Sequence, residues 1–364
     1  MKNEHYLKKT KRIIATIIFF STLFSGITGY ADEEKNSTAN EPNSELAART
    51  GFTVETIQPE TQIDKTAHYF YIHVNPEESQ TLKVKVISKR KEPSKVLVRL
   101  NNAVTNINGQ IDYGQENAQL DSSMKLPLTD MVKVEQKELT VENFEEKIVE
   151  LKVNPPKEKF SGVRLGAVVF RSAEESENES GVKSTYGYKI SVMTSEDLAP
   201  YNKGGEINYL GVKATLYNGE KVVAMTAQNP NPFVLEKLMM TTKLRKKGQK
   251  EVIASNALQD MKIAPNSSFD FLTYLGIEEL KPGKYVIESK ATDGEKNWNW
   301  EKEFEITDKQ ANQINKDAAY KITMPRLYKI IGIILLVLTT GNIIYLIYRR
   351  KTQQGGGKDD AKEE

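Results

Sequence analysis

The sequence predicts an all-β protein with two immunoglobulin-like β-sandwich domains, followed by a single transmembrane helix near the C-terminus. Three observations carry this prediction. Apolar residues alternate with polar ones along most of the chain, turn signals separate the alternating runs, and one long uncharged run lies near the C-terminus. Alternation with a period of two indicates strands with one buried face, whereas an uncharged run of about 20 residues can cross the hydrocarbon core of a bilayer.

Residues 1–31 have the composition of a secretion signal. Several lysines precede an apolar stretch at 13–24, and the small residue Ala31 provides a site for cleavage. Signal peptides have this order of basic, apolar and small residues. We therefore predict a signal peptide at 1–31, with a retained N-terminal anchor as the alternative. The polar, acidic stretch at 32–50 predicts a flexible leader.

Residues 51–197 are predicted to form the first β-sandwich domain. In the clearest run, Leu82, Val84 and Val86 alternate with lysines, and similar runs recur along the domain. Such alternation buries one face of a strand and leaves the other face in water. The Asn108–Gly109 pair predicts a hairpin turn, because both residues accept positive φ. Several short strands separated by turns are typical of a sandwich.

Residues 198–306 are predicted to form the second β-sandwich domain. The alternation resumes after a boundary that contains proline and glycine, and the pairs Asn218–Gly219 and Asp293–Gly294 predict further hairpin turns. In the last predicted strand, Trp298 and Trp300 lie on the same face. We expect both tryptophans to belong to the core of this domain.

The period of the apolar residues changes after the second domain. Thr307 followed by Gln310 fits a capping box, so we predict a short helix within a juxtamembrane stalk at 307–329. The uncharged run at 330–348 predicts the transmembrane helix. Basic residues begin the tail at 349–364, and such residues stay on the cytoplasmic side. We therefore predict a single-pass protein of the cell membrane, with extracellular N-terminal domains and a cytoplasmic C-terminus.

The sequence contains no recognisable catalytic or metal-binding motif. There is no cysteine, and His68 and His73 are an odd number of positions apart, which directs them to opposite faces of a strand. We therefore predict no catalytic residue, no metal site and no cofactor, although a pair of carboxylates from distant parts of the chain stays open. The formal net charge of +2 argues against binding of nucleic acid.

The strand-like run at 67–74 contains the candidate ligand-contacting residues. Phe70 and Ile72 make one of its faces apolar, which leaves Tyr69 and Tyr71 on the wetter face. Exposed tyrosines stack on sugars or anchor a protein partner. We therefore predict Tyr69 and Tyr71 as contact residues, with the alternative that a neighbouring loop covers them.

A basic turn in the second domain is a further candidate surface. It contains Lys243, Arg245, Lys246, Lys247 and Lys250. Its charge suits anionic polymers of a cell wall, and the alternative is a solvated hairpin.

Several short motifs occur in an order that matches a known family. In the first domain they are Phe52–Val54, Gln62–Lys65, Tyr69–Phe70, Asn101–Gly109 and Ile111–Tyr113. In the second domain they are Ala227–Pro232, Met261–Ser267, Leu280–Tyr285 and Gly294–Trp298. In this order and spacing of motifs, the chain resembles the WxL-interacting proteins of Gram-positive bacteria, which carry paired DUF916 and DUF3324 domains.

The resemblance implies a binding role at the bacterial cell surface. It implies that the first domain binds peptidoglycan, that the second binds a host protein such as one of the extracellular matrix, and that WxL cell-wall proteins are partners. Together with the membrane helix, it implies an anchored adhesion and scaffold protein without catalytic activity. The alternatives are a wall-active enzyme or its cofactor, and an assembly factor for exported WxL proteins.

Overall fold

A computed structural model of the chain describes residues 42–174, 176–177, 183–320 and 326–355. The signal peptide predicted at 1–31 lies outside these residues. Residues 32–41 of the predicted leader and 356–364 of the predicted tail also lie outside them.

The end of the predicted leader forms a helix, α1 (Pro42–Thr50). The buried Thr50 hydroxyl donates to the Leu46 carbonyl at 2.8 Å, and the Gly51 N–H donates to the Ala47 carbonyl at 2.8 Å. Gly51 has a φ of 77°, the left-handed conformation in which many helices end. The structure differs here from the expected flexible stretch, because burial of Ala47 and Thr50 orders a segment that has no periodic signal of its own.

Two sheets built from residues 52–195 form the first sandwich. Their strands are β1 (Phe52–Ile57), β2 (Phe70–His73), β3 (Gln80–Ser88), β4 (Ser94–Asn102), β7 (Val132–Val134), β8 (Glu138–Val141), β9 (Glu146–Val153), β10 (Val163–Ser172) and β13 (Gly187–Ser195). One sheet has the order β1-β3-β9-β7 and the other β2-β13-β10-β4-β8. Neighbouring strands are antiparallel, except that β2 and β13 are parallel.

Short elements connect these strands. These elements are β5 (Val104–Thr105), β6 (Ile111–Asp112), β11 (Ser176–Glu177), β12 (Lys183–Ser184) and the helical turn α2 (Leu128–Met131). Strands β5 and β6 pair as a hairpin around Asn108–Gly109, as the sequence predicts, and Gly109 has a φ of 65°. The hairpin loop is longer than a two-residue turn, because the Asn106 N–H donates to the Gln110 carbonyl across it.

One apolar core lies between the two sheets of the first sandwich. Leu82, Val84 and Val86 of β3 are fully buried in it, as their alternation predicts. The opposite sheet contributes Phe70 and Phe170, which are also fully buried. Complete burial of a phenyl side chain stabilises a fold by about 1.5–3 kcal/mol relative to its exposure. Burial of these side chains therefore stabilises the packing of the two sheets against each other.

Two further sheets, built from residues 208–306, form the second sandwich. Their strands are β14 (Asn208–Tyr217), β15 (Glu220–Asn229), β16 (Leu235–Lys246), β17 (Val252–Ile263), β18 (Ser267–Tyr274), β19 (Gly283–Thr292) and β20 (Asn297–Ile306). The strand orders are β14-β15-β18 and β17-β16-β19-β20. Asn218 and Gly219 form the predicted tight turn with φ values of 48° and 80°. Trp298 and Trp300 are half-buried and pack against the core of this sandwich, as expected.

Helix α3 (Asp308–Asp317) follows the last strand and begins with the predicted capping box. The Thr307 side chain accepts from the Gln310 N–H, and the Gln310 side chain accepts from the Thr307 N–H. Ala311 and Ile314 of the helix are buried in the second core. The first part of the predicted stalk therefore packs on the second sandwich.

Helix α4 (Arg326–Gly355) contains the predicted transmembrane segment. Among the described residues, the stretch Ile330–Arg349 is long and apolar enough to cross a membrane. Its apolar side chains are exposed, as in a helix whose surroundings are lipid. The chain is thus mostly β, with two sandwiches and one apolar C-terminal helix.

The two sandwiches meet along a surface that we call the seam. Buried Thr105 and Ser267 share a hydrogen bond between their hydroxyl groups at 2.6 Å, and the Ala264 N–H donates to Thr105 Oγ1 at 3.0 Å. Backbone bonds also cross the seam: the Val163 N–H donates to the Pro232 carbonyl at 2.8 Å. The seam therefore combines buried polar pairs with main-chain hydrogen bonds.

Candidate functional site

A groove lined by tyrosines opens beside the seam, and we call it the tyrosine groove. It has a volume of about 310 Å³. Its lining includes Tyr69, Tyr113 and Tyr201, an apolar floor of Leu165, Met193 and Val234, and a polar rim with Gln110, Glu236 and Lys262. The floor side chains are buried, whereas all three tyrosines are half-buried. A concave site with an apolar floor and a few polar groups is the usual form of a ligand site.

The backbone of each groove tyrosine is held by a hydrogen bond to its carbonyl. The Tyr69 carbonyl accepts from Gln62 Nε2 at 2.9 Å, and the Tyr113 carbonyl accepts from Asn101 Nδ2 at 2.8 Å. The Tyr201 carbonyl accepts from the Val234 N–H at 2.8 Å. Gln62 and Asn101 are themselves buried, so the anchors are fixed within the fold. The three rings are thus presented from secured backbone positions.

Tyr69 precedes strand β2 and does not lie within it, because β2 begins at Phe70. Phe70 and Ile72 face the first core, as the sequence predicts. Burial raises the pKa of Tyr69 above its ordinary value, and the neighbouring Tyr201 adds to this effect. The Tyr69 hydroxyl therefore stays protonated at neutral pH and can donate a hydrogen bond.

Tyr71 has a different environment from Tyr69. Its side chain is only 8% exposed and packs in the apolar cluster of the seam. The Tyr201 ring covers it edge-on, with 6.0 Å between ring centroids and an interplanar angle of 83°. The expectation of a wetter face thus holds for the half-buried Tyr69, while a neighbouring loop covers Tyr71. The buried Tyr71 ring thus packs against the Tyr201 ring and helps to fix its position.

Tyr113 has a hydrogen-bond partner within the groove lining, Ser191. The Ser191 hydroxyl donates to the Tyr113 hydroxyl oxygen at 3.4 Å. Burial raises the pKa of Tyr113, and this hydrogen bond offsets part of the increase. Tyr113 is therefore a neutral donor within the groove.

An ion pair forms part of the groove rim. Lys262 Nζ lies 3.3 Å from Glu236 Oε1, and Asn202 Nδ2 donates to Glu236 Oε2 at 2.9 Å. The Lys262 side chain is 55% exposed and the Glu236 side chain only 18%. The lysine ammonium group therefore retains contact with solvent and can bind an oxygen atom of a ligand.

A second pocket on the first sandwich is more polar, but its groups are bonded internally. It is lined by residues between Arg99 and Thr129. Asn102 Nδ2 donates to Thr129 Oγ1, and Asn102 Oδ1 accepts from the Thr129 N–H. Gln115 Nε2 donates to Asp112 Oδ2. Because these amides already have partners, the tyrosine groove is the better candidate for a ligand.

The remaining sequence candidates are separated from the groove or paired within the fold. His68 is exposed, whereas His73 contacts the Glu196 carbonyl through Nε2 at 3.1 Å. Within the described ranges, no group of histidine, aspartate and glutamate side chains could hold a metal ion. In the basic turn, Arg245 bonds both Glu288 and Glu301. Acidic residues of neighbouring strands thus balance the charges of Arg245 and of Lys247, which pairs with Glu303.

Sequence reasoning alone did not find Tyr113, Tyr201, Glu236 or Lys262 as groove residues. Tyr113 follows the hairpin that the sequence marks, so its motif signals a structured position without assigning a role. Tyr201 lies in the connection between the sandwiches, where no periodic pattern applies. Packing of the second sandwich and of the connection against the first brings Tyr201, Glu236 and Lys262 to the groove that Tyr69 lines.

Two family models match consecutive parts of the chain. The family model described as "WxL Interacting Protein, peptidoglycan binding domain" matches residues 52–172. The model described as "WxL Interacting Protein, host binding domain" matches residues 177–316. The chain belongs to the WxL-interacting protein family. The second match begins before strand β13, although β13 pairs with β10 in the first sandwich.

Solved structures similar to this WxL-interacting protein include bacterial chaperones at low identity. The E. coli chaperone DraB is 17% identical, with 70% of this chain and 98% of that chain covered and a TM-score of 0.26. The CsuC–CsuE chaperone–tip adhesion subunit complex of Acinetobacter baumannii is 10% identical, with 69% and 97% covered and a TM-score of 0.30. The Pseudomonas aeruginosa CupB2 chaperone is 10% identical, with 65% and 97% covered and a TM-score of 0.26. No curated protein matches the chain.

Proposed function

We propose that this WxL-interacting protein is a non-catalytic binding and scaffold protein anchored in the cell membrane. In this proposal the first sandwich contacts peptidoglycan, and the second contacts a WxL protein or a host protein. The observation that carries the proposal is the presence of both binding-domain matches and an apolar helix in one chain. Both families are families of binding domains, which favours binding over catalysis.

The short connection to the membrane helix favours a WxL protein as the first partner of the second sandwich. Helix α3 packs on that sandwich, and residues 318–325 connect α3 to α4. Such a connection spans at most about 28 Å when fully extended, because an extended chain rises about 3.5 Å per residue. The second sandwich would therefore lie close to the membrane, beneath the wall. A wall-attached WxL protein can reach it there more readily than a host protein.

Sedimentation with insoluble peptidoglycan tests the wall contact. Full-length protein in detergent micelles is mixed with purified wall and centrifuged. We expect the protein to sediment with the wall and to stay in solution without it. Protein that stays in the supernatant at every wall concentration would contradict the proposal.

Single-cysteine labelling tests the membrane orientation, and the cysteine-free chain makes it straightforward. Lys309→Cys places a thiol before the membrane helix, and Thr352→Cys places one after it. A membrane-impermeant maleimide on intact cells should label the first variant and spare the second. The reverse pattern, or equal labelling of both variants, would exclude the proposed topology.

Mixing with a purified WxL protein tests the partner. Full-length protein and the WxL protein are passed together over a size-exclusion column. We expect one complex that contains both chains. Separate elution at micromolar concentration would leave the host protein as the partner of the second sandwich.

A further inference from the structure

We propose that the tyrosine groove is the glycan-binding site of the protein, and that it takes an N-acetylated glycan strand of the wall between the two sandwiches. This inference rests on the proposed contact with peptidoglycan and names its site. Its distinctive content is that both sandwiches supply the site. Tyr69 and Tyr113 come from the first sandwich, Tyr201 from the connection, and Glu236 and Lys262 from the second.

The aromatic rings of the groove tyrosines have the chemistry that binds sugars. A pyranose ring carries C–H groups with partial positive charge on its faces, and the face of an aromatic ring is negative. Tyrosine adds a hydroxyl group that can donate to sugar hydroxyl or acetamido oxygens. Tyr69 and Tyr201 line the groove, and among the described residues no hydrogen bond joins either hydroxyl to another protein group, so both hydroxyls can bind a ligand.

The three groove tyrosines have backbone positions that are fixed before a ligand binds. The carbonyls of all three groove tyrosines accept hydrogen bonds, from Gln62, Asn101 and the Val234 backbone respectively. The buried Tyr71 ring also supports Tyr201. A backbone that is fixed before binding loses less conformational entropy when a ligand stacks on the rings that it carries. The arrangement thus favours a ligand with a flat C–H face, such as a sugar ring.

The groove has an apolar floor and a polar rim. Leu165, Met193 and Val234 form a buried apolar floor, which suits the acetyl methyl groups of N-acetylated sugars. At the rim, the exposed Lys262 ammonium can donate to the oxygen atoms of the same groups. The combination matches an amphipathic glycan better than a fully charged or fully apolar ligand.

The position of the groove has a consequence for the seam. A glycan in the groove contacts both sandwiches, so its binding stabilises their packing. The Lys262 N–H donates to the Gly109 carbonyl at 2.8 Å, which couples the rim directly to the hairpin of the first sandwich. A Cβ added at Gly109 would lie 2.2 Å from the Met261 side chain, so this approach requires glycine.

The test measures binding of soluble wall fragments and of an N-acetylglucosamine tetrasaccharide to the full-length protein by calorimetry. Tyr69→Ala and Tyr201→Ala should each weaken binding about tenfold, the effect of removing a ring that contributes about 1.4 kcal/mol. Tyr201→Phe keeps the stacking ring and removes only the hydroxyl, so it should weaken binding less than Tyr201→Ala does. Tyr274→Ala is the matched control, because Tyr274 is 43% exposed and lies outside the groove.

Sedimentation with the wall and the affinities of the variants together distinguish a wrong binding site from a wrong function. If the wild type sediments with the wall and the alanine variants bind as tightly as Tyr274→Ala, the groove is not the site, while the proposed function stands. If the wild type does not sediment, the proposed function itself fails, and the groove proposal fails with it. Equal thermal midpoints of Tyr201→Ala and Tyr201→Phe show that lost affinity reflects the ring and not the fold. If Tyr201→Ala has a lowered thermal midpoint, the affinity of Tyr69→Ala alone is compared with that of the wild type.

Discussion

Strand β2 contributes to two regions with different composition, the first core and the seam. Phe70 and Ile72 face the core and are fully buried among aliphatic and phenyl side chains. Tyr71, between them, faces the seam and packs beneath Tyr201. The core is apolar, whereas the seam contains buried hydroxyl groups, and the groove beside it has an ion pair at its rim. The apolar core therefore secures the fold, while polar groups at the rim of the groove beside the seam stay within reach of a ligand.

The largest expected effect lies in the core. Phe170→Ala should lower the free energy of unfolding by about 3–5 kcal/mol, because it removes a fully buried ring and leaves a cavity. Urea denaturation of the full-length protein measures this change. The matched control is Phe144→Ala, since Phe144 is 56% exposed and should change stability by less than about 0.5 kcal/mol. Equal effects of the two variants would contradict the assignment of the core.

A smaller effect is expected within the seam. Thr105→Val removes the hydroxyl that bonds Ser267 and accepts from the Ala264 N–H. The buried Ala264 N–H loses this partner, whereas the Ser267 hydroxyl keeps its bond to the Ala264 carbonyl. The cost of the substitution should be about 1–3 kcal/mol in unfolding free energy. Glycan affinity should also fall, because the seam positions both sides of the groove.

The control for the seam variant is Thr81→Val, at an exposed position of β3. It should leave both stability and affinity unchanged. A stable Thr105→Val protein with unchanged affinity would mean that the seam does not position the groove.

The alternating strands could be predicted from the sequence, and the groove could not. Leu82, Val84 and Val86 are buried as their spacing predicts, because strand alternation depends only on neighbouring residues. The groove instead depends on packing between segments that are far apart in the chain. Tyr69 was found because it lies beside a strand-like run, whereas Tyr201 lies in a connection without periodic signal. Likewise, the parallel pairing of β2 with β13 is a long-range choice that no local pattern specifies.

Acid pH provides a subtler test of the seam through Asp121. Burial raises the pKa of this carboxyl, but hydrogen bonds from Ser123, Gln228 and Ser268 outweigh it and leave the pKa below the ordinary 3.8. A depressed folded-state pKa stabilises the protein above pH 3.8, and this contribution is lost as the pH falls through the folded-state value.

The variant Asp121→Asn keeps an acceptor oxygen for Gln228 and removes the titration. Its free energy of unfolding should therefore decrease less than that of the wild type between pH 5 and pH 2, as measured by denaturant at each pH. An identical acid dependence in both proteins would mean that Asp121 does not link pH to stability.

The smallest effect is expected at the exposed ion pairs of the basic turn. Lys247 pairs with Glu303 at 2.7 Å, and both side chains are about half-exposed. Exposed ion pairs contribute little to stability and are screened by salt. Lys247→Ala should leave the thermal midpoint and the affinity for wall fragments within experimental error at physiological salt. Lost wall binding in this variant would instead favour the basic turn as the contact with anionic wall polymers.

Hydroxyl-radical footprinting of the unmodified full-length protein tests most directly whether the seam holds the ligand. The protein is oxidised with and without soluble wall fragments, and the modification of each tyrosine is measured by mass spectrometry. We predict that bound fragments reduce oxidation of Tyr69 and Tyr201 and leave the distant, exposed Tyr274 unchanged. Saturating binding that protects neither Tyr69 nor Tyr201 would contradict the assignment of the tyrosine groove.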